Sequence, residues 1–522
     1  MQVYATFWAL LPPIIAIVLA LITKEVYSSL FIGIVVGALF YSGFSFEGTL
    51  NHIFFEEVDA ETSYGMISVL SDSSNVGILI FLVILGTLVA LMNNAGGSAA
   101  FGRWATTHIK TRVGAQLATI ALGVLIFVDD YFNCLTVGSV MRPVTDTHNI
   151  SRAKLAYLID ATAAPVCIIA PISSWAAAVA GFASESDANG IALFISAIPY
   201  NFYALLTILM MITLSVTKTD FGPMAIHERN ALKGDLFTTE NRPYADADAH
   251  EDTSKGKVID LVLPVVVLVV ACVIGLIYTG GFFSGESFVS AFANCSASMG
   301  LVLGSSVALV FAIIFFIIRR VLSFKDCMAC IPEGFKAMVP AILILTFAWT
   351  LKSMTDSLGA AEFVAGVVKA SAGSFMNFLP AVIFLIACLL SFATGTSWGT
   401  FGILIPIVLA VFGTDSGALS TISMSACMAG AVCGDHCSPI SDTTIMSSAG
   451  AQCDHVNHVS TQLPYAISVA GISFITYLIC GVLITVGMAN PVWIALPLGI
   501  VLTVVYIMLM KRATSKKYAS QA

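Results

Sequence analysis

Apolar stretches of about the length that crosses a bilayer recur along the whole 522-residue chain, and no other feature restricts its possible folds so sharply. Inside the hydrocarbon core a backbone amide finds no water, so each stretch must satisfy its own hydrogen bonds, which a helix does. A chain built largely of such stretches is a set of membrane helices rather than a soluble domain with one anchor. Charge agrees with this. Charged residues make up 10% of the chain, against roughly 25% in soluble domains. The expected fold is an all-α polytopic membrane protein.

Full spans are expected at 8–23, 27–43, 75–94, 155–182, 191–217, 258–279, 301–320, 339–357, 419–450, 463–488 and 492–510. Two further apolar segments, 115–141 and 378–412, are interrupted midway by polar clusters and read as re-entrant hairpins, giving about 11 full spans plus 2 hairpins. The first span has no small-residue cleavage site after it and reads as a retained helix rather than a signal peptide. The stretch 218–257 is rich in Asp, carries His227 and His250, lacks apolar periodicity, and reads as a cytoplasmic linker. It separates a first transmembrane half, 1–217, from a second, 258–488, with 489–522 an extra C-terminal span and basic tail.

Orientation follows from the basic residues of the short loops, which stay on the cytoplasmic side. Lys24, Arg103, Arg152, Lys154, Lys325, Lys511 and Arg512 fall on one side of the span count, and Glu47, Glu56, Glu57, Asp59, Glu61 and Asp72 on the other. The expectation is a multi-pass protein of the bacterial inner (plasma) membrane, N-terminus outside and C-terminus cytoplasmic. The net charge of −8 gathers in loops, and no basic face interleaved with aromatics marks a nucleic-acid partner. The lipid bilayer is the expected surrounding, and a homodimer the expected assembly.

A linker near the middle prompts a search for internal repeats. Ala170-Pro171-Ile172-Ser173 recurs as Ser438-Pro439-Ile440-Ser441, and Phe127 aligns with Phe392 at nearly the same offset. Five crossings and one hairpin lie between the matched segments beginning at Asn75 and Val339, and an odd number of crossings inverts the second copy. Two inverted-topology repeats with discontinuous helices and re-entrant hairpins are a construction of secondary transporters, whose broken helix ends point at substrate and coupling ion.

Four broken places carry polar chemistry. The first-half pair are Asp129-Asp130-Tyr131-Phe132-Asn133 and the stretch from Asp160 to Ser173-Ser174, which holds Pro165 and Pro171. The second-half pair are the run from Thr394 through Gly395, Thr396 and Ser397 to Thr400, and Gly434-Asp435-His436-Cys437-Ser438-Pro439-Ile440-Ser441-Asp442-Thr443-Thr444. Proline and glycine release carbonyls from helical bonding, and such groups persist at membrane depth only where they face a cavity or a bound ion. Freed carbonyls with Ser, Thr and Asp oxygens are the hard ligands that an alkali cation prefers. Na⁺ is expected at Asp435, Ser441, Asp442 and Thr443, with the other hydroxyls and acids of the four breaks lining the same site. A carboxylate at that depth is costly unless paired, protonated or solvated, so a proton and a cation can compete for it.

Structural roles stand beside these. Asp129 and Asp130 could pair with Arg142, Asp160 with Lys154 or Arg152, and His436 is either a structural imidazole or a proton carrier. His455 and His458 read as solvated residues of the cytoplasmic face. Trp175 and Trp398 read either as cavity lining or as packing. Cys327 and Cys330 form a C-x-x-C in a loop with no further ligands near, so no metal is expected there. Gly395-Thr396-Ser397-Trp398-Gly399 matches G-x-S-x-G, but apolar helices on both sides exclude a nucleophile elbow. No catalytic residue and no cofactor is expected, Na⁺ entering as transported or coupling ion.

Phe127 to Asn133, the run Arg152 to Asp160, Ala164-Pro165-Val166-Cys167, Pro171 to Trp175 and Gly434 to Thr444 together resemble the NhaC family of Na⁺/H⁺ antiporters, over roughly 77–469. The resemblance implies an inverted-repeat fold and coupled movement of Na⁺ and H⁺. It leaves the cargo open, because relatives exchange organic acids such as malate and lactate and others are amino-acid carriers. For an organic anion, Arg142 and the hydroxyls of 394–400 are the candidate contacts. The acidic first loop and the linker lie outside the resemblance.

Overall fold

A computed structural model describes residues 3–23, 25–58, 63–127, 130–170, 175, 179, 190–244, 256–360, 362–363, 366, 376–412 and 417–519. Apart from a short antiparallel pairing of Glu56–Glu57 with Ser63–Tyr64, the regular structure among them is helical. Six helices are long and apolar enough to cross a membrane: Ser73–Asn94, Ile259–Thr279, Ser298–Ile318, Met376–Thr394, His455–Thr485 and Val492–Ser515. The number rises to 8 if each of two bent pairs makes one span. One pair, Leu193–Tyr200 with Phe202–Thr217, turns by 48°. There Pro199 lacks an amide hydrogen, and the Asn201 side chain caps the following helix by accepting from the Ala204 amide at 3.3 Å.

Burial on these helices is the reverse of a soluble protein's. On Ile259–Thr279 the exposed stripe is apolar, with Val262, Val266, Val270 and Ile274 at four-residue spacing, while Leu261, Leu268, Cys272 and Gly275 face other helices. Such a stripe is stable only against lipid tails. Small residues let backbones approach where helices cross, as expected when packing rather than water exclusion drives association. A Cβ on Gly138 would meet Gly450 backbone at 2.4 Å, so helices Asp130–Thr147 and Asp442–Ala451 touch main chain to main chain.

Both segments expected as hairpins are broken midway, although Met376–Thr394, the first arm of the second, is itself long and apolar enough to cross a membrane. Arg112–Leu125 ends at Ile126 and Asp130–Thr147 begins four residues later. Leu379–Thr394 ends at Gly395, whose φ of +66° is the left-handed conformation that stops a helix, and Ser397–Phe412 follows. The expected span 419–450 divides into Gly417–Cys437 and Asp442–Ala451 around Pro439, and 155–182 begins as Arg152–Asp160 and Ala164–Cys167.

Two expectations need correction, and one alternative is excluded. Cys327 and Cys330 are not in a loop but buried in the first turns of the Phe324–Ser357 helix, whose start is fixed by a capping box between Ser323 and Asp326. His455 and His458 are buried rather than solvated. The polar run near Asp454 does begin at the surface, but Asp454 caps a helix that turns inward at once. Asp160 pairs with neither Lys154 nor Arg152. Lys154 donates to Asp220 at 2.7 Å and Arg152 to Asp146 at 2.8 Å.

The stretch 218–244 is ordered and docked. It forms the helix Gly222–Ala231, and the buried Glu228 accepts from Arg112 and from the Ser151 amide at 2.8 Å. Tyr465 joins Lys154 in donating to Asp220, and the Arg152 amide donates to the Leu236 carbonyl at 3.0 Å. Polar anchors of this kind carry no apolar period, so nothing in the pattern announced the docking.

Candidate functional site

The site grows out of the breaks. In the first half, one Asn133 side chain ties the two breaks together, its amide donating to the carbonyls of Gly123 at 2.6 Å, Ile126 at 2.9 Å and Thr162 at 3.2 Å. The three carbonyls lie at helix ends, where intrahelical partners run out, although that of Gly123 also accepts from the Ile126 amide at 3.2 Å. Asn133 therefore works as a staple, although its Oδ1 makes no hydrogen bond among the described residues. Asp130 is buried at the start of its helix, where the positive end of the helix dipole favours an acid.

In the second half, Gly395 packs on the other break: a Cβ there would meet the Ile440 carbonyl oxygen at 2.5 Å. Ser438 donates to the Phe392 carbonyl at 2.8 Å, which ties the two breaks together, while Thr394 donates to the Leu390 carbonyl one turn back in its own helix at 2.9 Å. Ser397 donates to Asp435 Oδ2 at 2.7 Å, and Ser441 stands beside the same carboxylate. Asp435 Oδ1 is buried and makes no hydrogen bond among the described residues. Ser441 and Thr443 share a hydroxyl hydrogen bond at 3.0 Å.

The two halves meet at Asp442, the first residue of its helix. Its Oδ2 accepts from Tyr131 of the first half at 3.1 Å and its Oδ1 from the Trp349 indole at 3.0 Å. Both donors are neutral, so they orient the carboxylate without cancelling its charge. Next to it, Cys134 of the first half approaches the Thr443 carbonyl at 3.7 Å.

Asp442 opens onto a cavity of about 410 Å³. Its walls come from the acidic segment (Tyr64, Asp72), from the Phe324–Ser357 helix (Lys352, Asp356) and from the break (Thr394, Gly395, Thr396). Three carboxylates, Asp72, Asp356 and Asp442, thus face one ammonium, and that ammonium is held by Asp356 at 2.7 Å. A net negative cavity with low-dielectric walls concentrates cations.

Asp435 lies seven residues before Asp442, in the preceding helix across the break at Pro439, and does not line the cavity. Beyond it, His436 accepts or donates to the Tyr203 hydroxyl at 2.8 Å, according to its tautomer. Trp175 and Trp398 pack on each other with centroids 5.6 Å apart and do not line the cavity. Asp129, Ser173 and Ser174 lie outside the described residues. Sequence reasoning passed over Tyr131 and Trp349 as Asp442's donors. Tyr131 stood beside the chosen acids, while Trp349 lay in an apolar run with no signal. Among the described residues no group of three or more His, Cys, Asp or Glu could hold a metal ion.

Broken membrane helices that gather carboxylates and hydroxyls beside a cavity are the build of a secondary transporter. Residues 166–482 match the Na⁺/H⁺ antiporter family. An uncharacterized protein of Haemophilus influenzae is 38% identical over 489 residues, 91% of each chain. The malate-2H⁺/Na⁺-lactate antiporter of Bacillus subtilis is 31% identical over 31% of this chain and 34% of its own, and the arginine/ornithine antiporter of Halobacterium salinarum 37% over 21% and 23%. The chain belongs to the Na⁺/H⁺ antiporter family, the NhaC family that its motifs resemble.

Proposed function

We propose that the protein exchanges Na⁺ for H⁺ across the membrane by alternating access, with Na⁺ held by oxygens of Asp435, Ser441, Asp442 and Thr443. The observation that carries this reading is Asp442: a carboxylate at a half-helix start, oriented by two neutral donors, facing a negative cavity where both halves meet. We read the halves as inverted repeats whose breaks meet at this point. The cavity opens beside the acidic segment, so the conformation is outward-facing if that segment is external. An ion pair with a fixed Arg or Lys would leave no charge for a cargo cation. Here the charge is left for Na⁺ or a proton.

Proteoliposomes with a pH-reporting dye inside test it directly. Adding Na⁺ alone should drive protons across the membrane, and Asp435→Asn and Asp442→Asn should each reduce that movement to the level of empty vesicles while expression stays intact. Retained exchange in either variant would shift the site towards the first-half acids.

The size of the cavity supports a second reading. A volume of about 410 Å³ suits a small organic solute and far exceeds the roughly 30 Å³ share of one water. A Na⁺- or H⁺-coupled exchange of an organic acid or amino acid would use the same acids for the ion and Lys352 or the hydroxyls of the break for the solute. Uptake of labelled solutes that requires Na⁺ would favour it over pure ion exchange. Either reading makes the protein a transporter rather than an enzyme.

A further inference from the structure

Away from the cavity, an acid and an imidazole are buried against each other. Asp160 ends the helix Arg152–Asp160 and His458 lies in the first turns of His455–Thr485, both buried to 1% exposure or less. Asp160 Oδ2 faces His458 Nε2 at 3.2 Å and accepts from Gln462 Nε2 at 2.6 Å. Asp160 Oδ1 and His458 Nδ1 make no hydrogen bond among the described residues.

A carboxylate so enclosed needs a counter-charge or a proton. The two cations on its own helix are committed elsewhere, Lys154 to Asp220 and Arg152 to Asp146. His458 remains as the group in contact that can change charge. With one proton on the pair, the enclosure is neutral. Without it, the enclosure carries one negative charge.

We propose that Asp160 and His458 together bind the exchanged proton, apart from the oxygens that hold the cation. The proposal rests on the Na⁺/H⁺ exchange reading and divides its two ions between two sites. The titratable groups coupled to the pair through charge are Asp435, His436 and Cys437 from Gly417–Cys437 and His455 from the helix of His458, while Tyr157 from the helix of Asp160 stacks on His436 with centroids 6.4 Å apart. His455 is fixed by the Pro439 carbonyl at 2.7 Å and by Ser448 at 3.1 Å. Gln462 connects the two sites, since its Nε2 also donates to the backbone carbonyl of His436, next to Asp435, at 2.6 Å. Loading or emptying the pair therefore acts on a segment that carries a cation ligand, which is the physical link that exchange requires.

The test uses the full chain in proteoliposomes, with Na⁺-driven proton movement followed over a range of pH, and ²²Na⁺ binding to the detergent-solubilised protein at alkaline pH. The variants are His458→Gln, which keeps an amide donor near Nε2 but takes up no proton, and Asp160→Asn. Each should move the midpoint of the pH profile by about one unit or more, or lower proton movement about tenfold, while ²²Na⁺ binding stays within about threefold of the wild type. If His458→Gln does not purify as a monodisperse folded protein, Asp160→Asn decides alone. A variant that binds Na⁺ and keeps the wild-type profile overturns the proposal, as does loss of ²²Na⁺ binding in step with loss of proton movement. Wild-type vesicles that move no protons on adding Na⁺ overturn the exchange reading and this proposal together, whereas wild-type exchange with unshifted variants overturns only the proton pair.

Discussion

Asp442 shows how little a residue's surroundings can be read from its neighbours in sequence. Its donors come from 311 and 93 positions away, and one of them, Trp349, sits in a helix whose apolar run reads only as a span. A hydrogen bond to a charged group is worth about 1.5–3 kcal/mol, and losing the donor leaves a buried lone pair. Tyr131→Phe should therefore cost roughly 1–3 kcal/mol, seen as a lower melting temperature in detergent. Na⁺ should recover part of that loss, because a ligand that binds only the folded state stabilises it by mass action. A Tyr131→Phe protein that Na⁺ does not protect would argue against a cation at Asp442. The same blindness to distance explains His455 and His458. In sequence they follow Asp454 as a polar group after a span, and only the inward course of the helix shows them buried.

Elements were more legible. Proline, glycine and hydroxyls inside apolar runs marked three of the breaks and the paired acids Asp129-Asp130 the fourth, because each of these residues is costly or unstable in an unbroken apolar helix. What was not legible is how the breaks hold together. Asn133 bonds three carbonyls from two segments, and Gly138 meets Gly450 at a crossing where neither sequence pattern differs from any small-residue stretch. Adding bulk at that crossing must push two backbones apart. Gly138→Val is expected to cost more than the roughly 1–3 kcal/mol of ordinary overpacking, giving aggregated rather than monodisperse protein on size-exclusion chromatography. Asn133→Ala removes a staple without adding bulk. It should leave folded protein whose hydrogen exchange is faster around 123–126 and 161–163.

For the whole molecule, the ordered stretch 218–244 acts as a strap across the first half and the helix His455–Thr485. Burial lowers the His227 imidazole below its ordinary range, against a weaker opposite effect of Asp235. The unfolded strap then takes up a proton before the docked one does, so docking is at full strength above about pH 6.5 and weakens as pH falls through that value. Protection of the 222–244 amides against hydrogen exchange, relative to their intrinsic rates, should fall on acidification, and His227→Gln should flatten the dependence. The sequence alone determined the solvent: stretches of bilayer length with few charges admit only membrane helices, and residues that break helices locally fix where those helices stop. Tertiary structure decided the partners. Which donors meet Asp442, that Asp160 faces His458 rather than Lys154, and that a polar run docks instead of floating all depend on segments far apart in the chain. Such contacts have no period and no local propensity, so they exist only once the helices have packed.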